Sequence, residues 1–287
     1  MELDIECKSC LFNSQMKKVE REQTDNTKLQ EFKSGVKALC ENPPSNYCAP
    51  LLMRDIDLYH RKIFGCGIDY SREKSLFNRT LLAMEEQLYK KIIASSDPVG
   101  EALKFAMASN YIDFARLANL DGDSVSFVLE SAERASAAEP TLEKFKSKLK
   151  VSKTLCYLHD NCGEIVLDKI LIRVIKKLYP QISVTSVVRG KPIINDVTIY
   201  DAKEVCLNSY ARVVSNNTDV PGTYLKEVSP EVLKLLSESD VIISKGLGNL
   251  ETLYGEGYGI FYAFNCKCRH ISAKFGYPLW ASAFVSE

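Results

Sequence analysis

The chain has 287 residues, 46% hydrophobic and 26% charged, with 37 Lys+Arg against 37 Asp+Glu. That length supports a sizeable core and one or two domains, and the balanced charge gives no electrostatic footprint for nucleic acid. No apolar run approaches the ~20 residues of a membrane span, and the acidic start at residues 1–6 lacks a signal-peptide core, so no membrane partner and a cytoplasmic location are expected.

Residues 1–150 read as a helical N-terminal domain. An amphipathic polar helix is expected over 11–39, broken by Pro43-Pro44. A second is expected over 54–64, stopped near Gly65-Cys66-Gly67, and a third over 76–94 with Leu81, Leu88 and Ile92 on its apolar face. Pro98 sits where a first helical turn tolerates proline, opening a helix over 99–117. Asp121-Gly122-Asp123 reads as a turn, and 126–150 as charged and helical or partly exposed.

From residue 151 to 287 short apolar runs alternate with helical periodicity. Strands are expected over 154–158, 182–188, 211–214, 241–244 and 260–264, with a last one within 279–285. Helices fit 164–178, 200–207 and 230–237. Such alternation predicts an α/β class: a three-layer α/β/α unit on a mostly parallel sheet, carrying the catalytic residues.

Three stretches fall at predicted strand ends, where open parallel sheets bind ligands. The first is Asp160-Asn161-Cys162-Gly163-Glu164. Asp160 or Asn161 could simply cap the next helix. The second runs from Arg189 to Asn195-Asp196-Val197-Thr198, where Asp196 reads either as a turn residue or as a carboxylate one strand over from Asp160. Two carboxylates and an amide oxygen suit a hard divalent cation. The third is Lys245-Gly246-Leu247-Gly248-Asn249-Leu250-Glu251, whose glycines let backbone N–H groups approach an anion. It is neither a P-loop nor a dinucleotide fingerprint. His159 beside the first stretch reads as structural.

In this order and spacing the three stretches resemble the damage-control phosphatases, metal-dependent enzymes once grouped as a domain of unknown function. Cys7-x-x-Cys10, Lys267-Cys268, Asp69-Tyr70 with Lys74 and Asn78, and Asn110-Tyr111-Ile112-Asp113-Phe114 resemble its cysteine-bearing prokaryotic branch. Residues 116–150 match no pattern of the family. The resemblance implies that Asp160, Asn161 and Asp196 hold the metal. It implies that Lys245, Gly246, Gly248 and Asn249 line the phosphate pocket, with Glu251 and Lys267 close by. Asn110 and Asp113 would reach the site from the helical part, and Arg189 could reach the same mouth. The implied substrate is a small phosphorylated metabolite, and the cofactor Mg2+, Mn2+, Co2+ or Ni2+. Glu164 or Asp160 would serve as general base, with Lys245 neutralising phosphoryl charge.

Two rival readings remain. Eukaryotic relatives are proposed carboxyl methyltransferases, but no glycine-rich nucleotide turn followed by an acidic strand end is present here. The ten cysteines, including Cys7, Cys10, Cys266 and Cys268, read as thiols rather than disulfides in a cytosolic chain, or as a zinc or redox module.

Overall fold

The computed structural model describes residues 1–22, 24–108, 130, 132–135 and 139–287. The expected helix over 11–39 is two: α1 (Ile5–Glu22) and α2 (Asn26–Glu41). Asp25 lies between them in extended backbone, and its carboxylate accepts from the N–H groups of Thr27 and Lys28. That N-cap starts a new helix where the polar pattern alone runs on. Helix α3 (Ala49–Phe64) begins before residue 54 because Pro50 occupies its first turn, and it ends at Gly65 with φ +81°. The expected helix over 76–94 divides into α4 (Ser71–Leu82) and α5 (Glu85–Ile93). Met84 N–H closes a tight turn on the Leu81 carbonyl there. Helix α6 (Pro98–Ala108) covers the first part of the expected 99–117, and α7 (Glu139–Val151) covers most of the end of 126–150. The remainder of both, and the 121–123 turn, lie outside the described residues.

The second half matches its expectation closely. It runs β1 (Thr154–Leu158), α8 (Glu164–Leu178), β2 (Ser183–Val188), α9 (Ile199–Glu204), β3 (Arg212–Ser215), α10 (Pro230–Glu238) and β4 (Val241–Lys245). It continues with α11 (Gly246–Leu253), β5 (Phe261–Asn265), α12 (Arg269–Phe275) and β6 (Ser282–Ser286). Helices α11 and α12 are absent from the expected set.

The six strands are ordered β3-β2-β1-β4-β5-β6, and only β6 is antiparallel to its neighbour. Alternate residues of β1 face opposite layers: Leu155 and Tyr157 pack with α6 and α8, Cys156 and Leu158 with α10 and α11. The α/β/α layering therefore stands. Helices α4 to α7 share the first of these cores, and the Phe145 ring lies 5.2 Å from Phe261 and 5.6 Å from Phe284. Helices α1 to α3 enclose a separate cluster around Phe32, Val36 and Ile56. Among the described residues no helix is long and apolar enough to cross a membrane.

From β1 the chain crosses to β2 on one side, and β4 joins β1 on the other. The order reverses at this point, so the loops leaving β1 and β4 diverge and open a crevice at their carboxyl ends.

Candidate active site

The β1 side of the crevice is built by backbone pairing. Gly163, at φ +79°, precedes α8, and no side chain caps that helix. Asp160 and Asn161 are therefore not spent on capping. The loop after β2 folds back over them: Val197 N–H reaches the Asp160 carbonyl at 2.9 Å, and Cys162 N–H the Asn195 carbonyl at 2.9 Å. Asn161 and Asp196 form an antiparallel bridge. Thr198 and Asp201 form a capping box that starts α9 just beyond. Asp160, Asn161 and Asp196 thus meet at one rim although 36 residues separate the first from the last.

Arg189, at the end of β2, is almost fully buried between the acids. Its Nε donates to Asp196 at 2.6 Å, and Nη2 lies 3.7 Å from Asp160. Neither Nη1 nor Nη2 has a hydrogen-bond partner among the described residues. Asn161 gives its Nδ2 to Asp160 at 2.8 Å and to Glu164 at 2.9 Å, which leaves its carbonyl oxygen for an outside ligand.

The β4 side differs from a simple anion cradle. Lys245 is completely buried and turned inward, with Nζ 2.7 Å from Asp168 and 3.2 Å from Glu164. Both contacts commit its ammonium to carboxylates of α8. Gly246 has φ +78°, and a Cβ there would lie 2.0 Å from an Asp160 carboxylate oxygen. Only glycine lets the α11 N-terminus come so close to Asp160. A Cβ on Gly248 would lie 2.0 Å from the Pro221 carbonyl, so this glycine serves loop packing. Asn249 is buried, donating to the His159 and Lys245 carbonyls at 3.1 and 2.8 Å and accepting from Thr223 at 2.8 Å. It ties the β1 and β4 ends together and has no capacity left on its amide nitrogen. Glu251 lies two residues further along α11, with its pKa raised to about 7 by burial. Lys267 is exposed, and its charge opposes the shift at Asp160. Asn110 and Asp113 lie outside the described residues.

The electrostatics are unbalanced. Among the described residues four buried carboxylates, Asp160, Glu164, Asp168 and Asp196, meet the buried cations Arg189 and Lys245, and Lys74, paired with Asp201, adds a weaker pull on Asp196. Burial, then the charges of Asp196 and Glu164, push the Asp160 carboxyl up to about 8 against the pull of Arg189 and Lys267. Burial also raises Asp196, although Arg189 opposes it. At Asp168 burial is outweighed by Lys245 and His159, so its pKa is lowered. At Lys245 burial is outweighed by Asp168 and Glu164, and the ammonium is held above its usual range.

Asp168 is the residue that sequence reasoning missed. It accepts from Tyr157 at 2.8 Å and from His159 Nδ1 at 3.0 Å besides Lys245. His159 Nε2 then accepts from the Ser186 hydroxyl at 3.0 Å. His159 is structural, as expected. In sequence Asp168 is one acid between Leu167 and Lys169; only the inward turn of Lys245 marks it.

The cysteines are all free thiols, and Cys266 is buried with Sγ directed at the Cys268 and Tyr277 carbonyls. Among the described residues no three His, Cys, Asp or Glu side chains are grouped to hold a metal. That count omits the amide of Asn161, so it bears on a thiol centre more than on the Asp160–Asn161–Asp196 rim.

The profile of the damage-control phosphatase ARMT1-like domain matches residues 3–280. An uncharacterised protein of Methanocaldococcus jannaschii is 33% identical over 67% of this chain and 60% of its own length. A damage-control phosphatase of Pyrococcus horikoshii is 32% identical over 62% of this chain and 61% of its own. The match thus spans about three fifths of these two relatives, whereas a damage-control phosphatase of Archaeoglobus fulgidus is 26% identical over 96% of both chains. A crystal structure of a DUF89 family protein from Pyrococcus horikoshii superposes with a TM-score of 0.88 at 25% identity, covering 100% of this chain and 99% of that one. With its helical part, its switch-point crevice and this profile across nearly its whole length, the chain belongs to the damage-control phosphatase ARMT1-like family.

Proposed function

We propose that the protein is a divalent-metal-dependent phosphatase acting on a small phosphorylated metabolite. The observation that carries this reading is the meeting of Asp160, Asn161 and Asp196 at one rim, where the described buried carboxylates Asp160, Glu164, Asp168 and Asp196 outnumber the buried cations Arg189 and Lys245. The Asp160 carboxyl is raised to about 8 by burial and by the charges of Asp196 and Glu164, and a divalent cation beside it would bring that value down. Two carboxylates and an amide oxygen are hard donors, suited to Mg2+ or Mn2+, with Co2+ and Ni2+ as further candidates. The names of the Pyrococcus and Archaeoglobus relatives point the same way.

Asp160, Asn161 and Asp196 would hold the cation, which when bound supplies Lewis-acid polarisation of a phosphoryl group. Arg189 carries two buried guanidinium nitrogens with unmet hydrogen bonds beside these ligands, and a phosphoryl oxygen satisfies both. Lys245 and Asn161 hold Glu164 as an oriented carboxylate, so Glu164 is the group placed to take a proton from an attacking water. Lys245 therefore acts on Glu164 and not on the phosphate. Lys267 at the rim attracts anions from solution.

No observation favours the methyltransferase reading: the turn after β1 presents carboxylates where a nucleotide would need a glycine-rich backbone. Phosphate release from a panel of phosphometabolites, with Mg2+, Mn2+, Co2+ and Ni2+ in turn, tests the proposal. Asp196→Ala should abolish release and metal uptake together. Metal-independent release, or tight S-adenosylmethionine binding without release, defeats it.

A further inference from the structure

The buried face of α4 is Lys74, Phe77, Asn78 and Leu81, at helical spacing. Two of the four are polar, and each reaches a different loop of the crevice. The Asn78 side-chain oxygen accepts from Gly163 N–H at 2.7 Å, and its nitrogen donates to Glu204 at 2.7 Å. Asn78 is completely buried. Lys74 Nζ lies 2.7 Å from Asp201, whose carboxylate also receives the Thr198 N–H and hydroxyl at 2.7 Å each. Phe77 closes the gap, since a Cβ on Gly163 would stand 3.0 Å from its own Cβ. Asn78 thus grips the turn carrying Asp160 and Asn161. One turn earlier on the same face, Lys74 grips the α9 cap that follows Asp196.

We infer that α4 is a clamp that fixes the separation between the two halves of the cation site, with Asn78 as its principal positioning residue. Asn78 touches neither ligand nor reacting atoms. It acts by holding Gly163 and Glu204, and through them the two ligand-bearing loops, in one register. This rests on the cation reading above. Partners of this kind, one step removed from the ligands, typically change metal affinity by roughly ten- to hundredfold.

The test is calorimetric titration of Mn2+ into metal-free wild type, Asn78→Ala, Asn78→Asp and the reversed pair Asn78→Asp with Glu204→Gln. The reversed pair keeps an acceptor for Gly163 N–H and restores donor–acceptor complementarity with position 204. Asn78→Ala should bind Mn2+ roughly ten- to hundredfold more weakly, with a folded far-UV spectrum and a cooperative metal-free melt. Should Asn78→Ala fail to fold, Asn78→Asp against the reversed pair gives the same reading: the single change weakens binding and the pair recovers it. Unchanged Mn2+ affinity in folded Asn78→Ala or in folded Asn78→Asp alone overturns the clamp and leaves the phosphatase reading standing. A wild type that takes up no Mn2+ overturns both.

Discussion

Lys245→Met removes a buried ammonium without leaving a large void. In the wild type Nζ stands 2.7 Å from Asp168 and 3.2 Å from Glu164, in a completely buried position. At an effective dielectric near 20 each contact is worth about 5–6 kcal/mol of Coulomb attraction, much of it offset by the cost of desolvating the charges. Methionine leaves two carboxylates facing each other with no cation between them. Removing one partner of such a buried pair costs about 3–5 kcal/mol, a large fraction of the ~5–15 kcal/mol that folds a typical protein. With a guanidinium m-value of about 5 kcal/mol/M, the unfolding midpoint at pH 8 falls by ~0.6–1 M. The pH dependence fixes the cause. Lys245 is the largest influence holding Asp168 down against burial; without it burial raises the Asp168 carboxyl, so the native state binds an extra proton and the variant regains stability as pH falls towards 5. Adding Asp168→Asn should recover part of the loss at pH 8. A Lys245→Met protein within 1 kcal/mol of wild type at pH 8, with no such pH trend, refutes the assignment of Lys245 as the cation that binds these two acids.

Two further outcomes follow from the crevice. The native Asp160 carboxyl titrates at about 8 against an ordinary value of 3.8, so metal-free native protein holds a proton there that the unfolded chain has released. That group's contribution therefore declines as pH rises from about 4 to 8; Asp160→Asn should flatten the decline in a pH series of denaturation midpoints, and Mn2+ uptake by wild type should strengthen over the same window. Gly246→Ala puts a Cβ 2.0 Å from the Asp160 carboxylate at φ +78°. The left-handed backbone alone costs about 1–2 kcal/mol, and displacement of Asp160 should lower metal-dependent turnover by more than tenfold while Lys267→Ala lowers it less.

Much of this architecture is legible from periodicity. Strand β1 and helix α8 stand at the expected residues because an apolar run, a glycine turn and a helical stripe follow one another without ambiguity. The polar N-terminal part was harder. Asp25 interrupts a charged amphipathic pattern without proline or glycine, and the turn at Ala83-Met84 divides α4 from α5 inside a continuous apolar face. At the site, the meeting of Asp160, Asn161 and Asp196 could be anticipated because all follow strands. The inward turn of Lys245 could not, since it depends on Asp168, a single acid in the buried stripe of α8 whose partners come from β1 and β4. Asn249 was likewise expected at the pocket and instead ties two strand ends together, a task visible only once β1 and β4 are neighbours.

The line Ser186–His159–Asp168 has the connectivity of a serine-hydrolase triad: hydroxyl to imidazole at 3.0 Å, imidazole to carboxylate at 3.0 Å. All three side chains are sealed beneath the sheet edge, with exposures of 0%, 1% and 0%. A search for nucleophiles by three-atom template would therefore select the wrong part of this molecule. Acyl chemistry needs a substrate carbonyl to reach the hydroxyl and donors to receive its oxyanion, and Ser186 offers no path for the first. The same contacts that would activate a surface serine serve here as internal bracing.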